Sequence, residues 1–365
     1  MKYTKVLCAF ICTSIFLVSS GFSPAVDNGT KYRQASFPTR KWESSTLQKQ
    51  GFDTSIINNM LAKVKKEGQI NSLLIVRNGY KVLEYYKPGC SKKTAFNWYS
   101  CTKSITSAIV GIAIDKGYIN SVDDKVAKYI TEFKKADEDK LKQAMSVRHL
   151  LNMTSGIDWP ESTEWNHFFA PMINSENWIR FIVGRQMAEK PGDVFNYNSG
   201  ASHLLSYIVQ ESTGESTFDF AKENLFGKIG MKSVEWPTDP QGVNNGGAWL
   251  EMTAEDAARF AYLYLNKGKW AGKQLISSKW IEESTEYQSE GSKEDNGVGG
   301  NYGYQWWINS YHGHKTYFAW GAREQYIFVV PDLNLIAVFT SWYTDNSTRP
   351  PQYVKDYIVP SVLQQ

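Results

Sequence analysis

Cysteine is scarce in this chain. There are four in 365 residues, and two of them, Cys8 and Cys12, lie inside an N-terminal apolar stretch, which leaves Cys90 and Cys101. So few thiols exclude a disulfide-stapled scaffold and a cysteine-rich metal module. Histidine is as sparse, at 149, 167, 203, 312 and 314, and no functional pattern unites these five. His203 is expected to pack within its own helix. Asp158, Glu161, Glu164 and His167 are close in sequence, yet neither helical nor zinc spacing joins them, and they read as a polar loop rather than a metal site. Charge of one sign is not in excess either, with 40 basic against 37 acidic residues and a net charge of +3. That balance argues against a nucleic-acid partner or an anionic membrane surface. The sequence has no glycine-rich phosphate loop, no Gly-x-Ser-x-Gly elbow, no internal repeat and no low-complexity tract, so no cofactor is expected.

The longest apolar run is Val6 to Val18, too short for a comfortable membrane span. It follows Lys2 and Lys5 and precedes small residues from Ser19 to Ala25. That is the pattern of a secretory signal peptide over residues 1–25, implying a secreted or periplasmic product. Neither Cys8 nor Cys12 follows the small residues that a lipoprotein cleavage site needs. Cleavage would remove two lysines and no acid, leaving 38 basic against 37 acidic residues and a charge of about +1. Residues 26–365 suffice for one large domain or two intimately packed ones. Export permits a Cys90–Cys101 disulfide; two buried or partly buried thiols are the alternative.

Aromatic residues are abundant, at 14%. Asp53 or Thr54 can cap a first helix whose Ile56, Ile57, Met60, Leu61 and Val64 follow helical spacing. Two β-rich runs, Ser72 to Val76 and Tyr80 to Tyr86, flank Asn78-Gly79, a strong hairpin signal. The middle reads as helices and loops: Ser100–Lys116, Val147–Met153, Asn177–Arg185, Ala201–Ser212, Thr217–Leu225 and Ala254–Lys267. Tyr287 to Asn301, rich in Ser, Gly, Glu and Asn, is the best candidate for a mobile loop. Strand signals return over Tyr304–Ile308, Lys315–Ala319, Gln325–Val330 and Leu335–Trp342, and a last helix is expected over Gln352–Leu363. Strands at both ends with helices between imply an α+β fold. One antiparallel sheet is built from both termini (about 50–99 and 302–365), with an inserted helical region (about 100–301) and a cleft between the two.

The chemistry starts at Ser100-Cys101-Thr102-Lys103, which follows a polar loop and opens a long apolar run. Residues three apart share a helix face, so the Ser100 hydroxyl and the Lys103 amine would stand side by side. A desolvated lysine can activate a serine without histidine. Alone, the pair could equally be an exposed feature of a helix. Two later segments reinforce it. Lys190-Pro191-Gly192-Asp193-Val194-Phe195-Asn196-Tyr197-Asn198-Ser199-Gly200 delivers Tyr197 before a helix expected to start at Ala201 or Ser202. Phe318-Ala319-Trp320-Gly321-Ala322-Arg323-Glu324-Gln325-Tyr326 leads into a strand.

In order and spacing these motifs resemble the serine β-lactamase and penicillin-binding-protein superfamily. The particular branch looks like that of the class C β-lactamase-related esterases, D-aminopeptidases and 6-aminohexanoate-dimer hydrolases. His149 to Ile157, Gly246-Gly247 through Asp256, and Tyr302 to Trp307 extend the resemblance over almost all of the chain after the leader. It implies a β-lactamase/transpeptidase-like fold and a covalent acyl-enzyme. Ser100 would be the nucleophile, with Lys103 and Tyr197 sharing the proton work and either one the formal base. Backbone N–H groups of Ser100 and Ala322 would form the oxyanion hole.

The chain departs from the lactamases in two places. Their Tyr-x-Asn is Tyr197-Asn198-Ser199 here, which puts Ser199 in the amide position of the substrate site. Their Lys-Thr-Gly is Ala319-Trp320-Gly321, placing Trp320 and Gly321 against substrate and removing the groups that hold a lactam carboxylate. Lys315-Thr316 lies too far upstream to substitute. Esters or short linear amides are therefore expected ahead of β-lactams. A D-aminopeptidase or DD-peptidase on cell-wall peptides is the enzymatic alternative, and a penicillin- or peptide-binding sensor that acylates without turnover is the non-enzymatic one. Trp98, Tyr99, Trp165, Phe168, Phe169 and Trp249 could line an apolar cleft or belong to the core. Arg323 could bind a substrate carboxylate or make a structural salt bridge.

Overall fold

The computed structural model describes residues 35–134, 139–161, 169–292, 300–343 and 348–362. The expected signal peptide (residues 1–25), Trp165, Phe168, Glu164 and His167 lie outside these residues. Helix α1 (Thr54–Glu67) begins where the Asp53 carboxylate accepts the backbone N–H groups of Ser55 and Ile56, at 2.8 and 3.3 Å. Strands β1 (Ile70–Arg77) and β2 (Tyr80–Tyr86) follow. The Asn78-Gly79 turn between them has φ of 51° and 80°, the type I′ geometry whose twist suits a hairpin.

The remaining strands are β3 (Ala95–Asn97), β4 (Glu251–Thr253), β5 (Lys269–Trp270), β6 (Lys273–Gln274), β7 (Ser289–Ser292), β8 (Gly300–Tyr302), β9 (Trp307–Tyr311), β10 (His314–Gly321), β11 (Gln325–Val330) and β12 (Leu335–Ser341). Eight form one antiparallel sheet in the order β2-β1-β12-β11-β10-β9-β8-β7. This is the expected sheet built from the two ends of the chain. It reaches back to Ser289, further than expected, because the two ends of the Tyr287–Asn301 stretch pair as β7 and β8; 293–299 lie outside the described residues.

Alternation along the central strands gives the sheet two apolar faces. Leu74, Val76, Ile327, Val329, Ile336 and Val338 face the helical region. Leu73, Ile75, Phe328, Ala337 and Phe339 face the other way, in one cluster with Ile57, Met60 and Val64 of α1 and with Tyr353, Val354 and Ile358 near the C-terminus. The last helix is shorter than expected. Pro350–Tyr353 is α-helical and Val354–Ile358 widens to a π turn. Pro360 lacks the N–H needed to carry the helix on to Leu363.

Helix α2 (Thr102–Asp115) runs through the middle of the molecule and is buried at every position from Thr102 to Ala113. It starts two residues later than the apolar pattern predicts, because Tyr99–Cys101 form a separate 3-10 turn. Helix α3 (Ser199–Thr213) starts two residues earlier than predicted: the Asn198 side chain accepts the Ala201 N–H at 2.8 Å and caps it. Helix α4 (Ala254–Leu265) is capped by Thr253. Cys90 and Cys101 are both free thiols, and Cys101 is buried with its Sγ on the Gln325 carbonyl at 3.4 Å.

Candidate active site

Ser100 sits in the 3-10 turn before α2, and Lys103 in the first turn of α2. Tyr99 ahead of the serine has φ 45°, a left-handed conformation that costs a non-glycine residue energy. Asn97 Oδ1 accepts the Tyr99 N–H at 2.8 Å, and Thr102 Oγ1 donates to the Tyr99 carbonyl at 2.6 Å, so both neighbours hold the turn. Ser100 is half-buried, whereas Lys103 is 1% exposed.

The Lys103 ammonium nitrogen has three acceptors within reach. They are Ser100 Oγ at 3.0 Å, Ser199 Oγ at 2.9 Å and the Gly247 carbonyl at 2.8 Å. Burial lowers its pKa to about 8, against an upward pull from Glu161 and a further one from Cys101. The Gly247 carbonyl gets this close because Gly246 and Gly247 pack on the α3 backbone. A Cβ on Gly246 would lie 2.3 Å from the Ser202 carbonyl, and one on Gly247 would lie 2.8 Å from that of Ser199.

Tyr197 immediately precedes the Asn198 cap and is half-buried. Lys103 Nζ is 4.8 Å from its ring centre, and the ring stacks on Trp307 at 6.0 Å. Burial pushes the phenol pKa far upward, Glu161 adds to that, and hydrogen bonding with Ser100 opposes it. Trp307 meets Trp320 edge-on at 5.8 Å, and Trp320 stacks on Tyr326 at 6.2 Å, so aromatic rings wall the tyrosine side of the cleft.

Gly321 ends β10 against the turn that carries Ser100. A Cβ there would lie 2.3 Å from the Trp98 carbonyl and 3.2 Å from the Ser100 nitrogen. Ala322 follows, exposed. Neither the Ser100 N–H nor the Ala322 N–H has a hydrogen-bond partner among the described residues.

Ser199, expected to meet substrate, is instead 1% exposed and lies behind Lys103. It accepts from Lys103 and donates its hydroxyl to Glu161 Oε1 at 2.6 Å. Glu161 is the residue that the sequence reading missed. Its other oxygen accepts the Ser199 N–H at 2.7 Å and the Trp159 indole N–H at 2.8 Å. Three donors converge on this buried carboxylate, and Ser199 links it to the lysine. The only hint in sequence was a tryptophan two residues before an acid.

The other site expectations separate by location. Trp98 is core, its indole N–H on the Met252 carbonyl at 2.9 Å. Phe169 is also core, and Trp249 packs edge-on against it at 5.9 Å. Lys315 pairs with Glu286, away from the serine. His203 is fully buried in α3 with Nε2 3.0 Å from Asp239. Arg323 makes no salt bridge to a described acid; its guanidinium lies 3.4 Å from the ring centre of Trp342.

A family model described as Beta-lactamase matches residues 57–355. The 6-aminohexanoate-dimer hydrolase of Paenarthrobacter ureafaciens is 24% identical over 303 residues, covering 76% of this chain and 74% of that one. A solved structure from Bacillus anthracis, provisionally described as a 6-aminohexanoate-dimer hydrolase, superposes with a TM-score of 0.69 at 24% identity, covering 82% of this chain and 81% of that one. A family VIII carboxylesterase superposes with a TM-score of 0.64 at 18% identity, covering 85% and 96%. These structures share the β-lactamase/transpeptidase-like α+β fold.

Proposed function

The chain belongs to the Beta-lactamase family, and from that premise we propose that it is an exported serine hydrolase cleaving an ester or amide through an acyl-enzyme on Ser100. The observation that carries this reading is the buried Lys103, with Nζ 3.0 Å from Ser100 Oγ and a pKa lowered to about 8. Near neutral pH a useful fraction of this amine is uncharged and can take the serine proton. Tyr197, with its phenol pKa pushed up by burial, stays protonated and is the weaker candidate for the base.

In acylation the Ser100 proton passes to Lys103 as Oγ attacks the carbonyl carbon. The developing oxyanion takes hydrogen bonds from the Ser100 and Ala322 amides. The C–O or C–N bond then breaks as Tyr197 donates its proton to the departing alcohol or amine. The Lys103 ammonium, 4.8 Å from the Tyr197 ring centre, restores that proton. Water, deprotonated by the same pair, releases the acid from Ser100.

Trp320 replaces a small polar group of the lactamases and lies against Trp307, which suits an apolar or aryl leaving group beside Tyr197. Linear esters and amides therefore rank ahead of β-lactams. Steady-state kcat/KM for p-nitrophenyl acetate, a linear amide such as 6-aminohexanoate dimer, a D-amino-acid amide and nitrocefin tests this order. The ester or linear amide should exceed nitrocefin by at least about 100-fold, and Ser100→Ala should lose all activities. Nitrocefin as the best substrate would contradict the reading.

A further inference from the structure

The turn joining β10 to β11 carries two non-glycine residues in left-handed backbone, Arg323 at φ 62° and Glu324 at φ 65°. Such a pair is costly and persists only where surrounding contacts hold it. Several contacts do. Ser341 Oγ donates to the Arg323 and Glu324 carbonyls. Gln325 Nε2 donates to the Arg323 carbonyl at 3.1 Å and to the Ser341 carbonyl at 2.8 Å. The Glu324 carboxylate is buried and faces Arg349, at 3.5 Å, rather than Arg323.

The result is an exposed guanidinium held over an exposed indole. Arg323 lies 3.4 Å above the Trp342 ring centre, and Trp342 is 51% exposed, one of the few large apolar side chains left open to solvent. A cation–π contact with the indole does not consume the guanidinium N–H donors, and no described side chain accepts from them. No described acid pairs with it. A guanidinium with no acid partner among the described residues, on a strained turn one residue from the Ala322 amide, is placed to receive an anion.

The topology also says which part of a substrate would bear that anion. Tyr197 stacks on Trp307 of β9, which flanks β10 on one side, and the leaving group must face Tyr197. Arg323 leads into β11, and Trp342 follows β12, on the other side of β10. A group reaching Arg323 therefore belongs to the acyl half.

We propose that Arg323 and Trp342 form a subsite for a carboxylate at the far end of the acyl chain, so that the preferred substrates are half-esters or half-amides of short dicarboxylic acids. This deepens the acyl-enzyme reading above and rests on it. The carboxylate would accept two N–H groups from the guanidinium edge while the acyl methylenes lie over Trp342. Arg323 directly follows Ala322 in the chain and its guanidinium lies over Trp342, so the acyl chain that links the two groups is a short one.

The test compares p-nitrophenyl hemiglutarate with neutral p-nitrophenyl pentanoate, in the wild type and in Arg323→Ala, Arg323→Lys and Trp342→Ala. A charge-assisted bidentate contact should favour the anionic ester by about ten-fold or more in kcat/KM, mostly through KM. Arg323→Ala should collapse that ratio to near one, Arg323→Lys should keep part of it, and 0.5 M salt should reduce it. A wild type that hydrolyses both esters equally, or an Arg323→Ala variant that loses both in proportion, overturns the subsite and leaves the hydrolase reading standing. Failure of the hydrolase reading looks different: neither ester turns over and no acyl adduct forms. Glutarate titrated against tryptophan fluorescence then decides the subsite separately. Quenching that disappears in both Arg323→Ala and Trp342→Ala supports it, and no change in the wild type overturns it.

Discussion

In the proposed mechanism Lys103 is the base, and its setting makes a pH prediction with a definite sign. Its pKa is lowered to about 8, chiefly by burial, and the base must be neutral to act. kcat/KM for an ester should therefore rise with pH along a limb centred near 8. The Glu161 carboxylate favours the ammonium and so raises this pKa. Glu161→Gln should move the limb to lower pH and leave a larger neutral fraction at pH 7. A pH profile of the variant checks this, and a shift to higher pH would contradict it.

Ser100 and Lys103 could be picked out as candidates from their spacing on one helix face, and Tyr197 from the motif resemblance. Glu161 could not. It acts through Ser199, and its partners come from Trp159 and the first turn of α3, 38 residues on. Ser199 was misplaced for a related reason: spacing gives a residue's neighbourhood, but not whether its hydroxyl faces the cleft or the lysine behind it.

At the scale of elements, the end of β10 is the decisive placement. Gly321 lets the strand touch the Ser100 turn, and the Ala322 amide follows directly. In Gly321→Ala the new Cβ would begin 2.3 Å from the Trp98 carbonyl, so β10 must withdraw from Ser100. The oxyanion hole should open, and kcat should fall by roughly 100-fold or more with the far-UV circular dichroism preserved. Activity within a few-fold of wild type would show that Ala322 is not an oxyanion donor. The hairpin at Asn78-Gly79 and the alternation in the central strands were legible because turn chemistry and period-two burial are local signals. The β7–β8 pair was not, since Ser289–Ser292 and Gly300–Tyr302 are short and polar and become strands only by pairing with the sheet edge.

Across the whole molecule, the helical region and the two-faced sheet meet along α2, whose burial desolvates Lys103. The same burial covers the thiol next to Ser100. Cys101 is buried and its thiol pKa is pushed well up by burial, whereas Cys90 is partly exposed. In folded protein comprising residues 26–365, a thiol-reactive chromophore should report one thiol, and two after denaturation, with no reductant needed. A count of zero in denaturant would mean that the two cysteines are paired.

The most direct test of the central claim is intact-mass spectrometry of the protein quenched during turnover of p-nitrophenyl acetate, with the adduct mapped by peptide digestion. The account predicts a transient acetyl group on Ser100, formed faster as pH rises toward and past 8, and absent in Ser100→Ala. Continuous p-nitrophenol release with no adduct on Ser100, or the same release from Ser100→Ala, would contradict it.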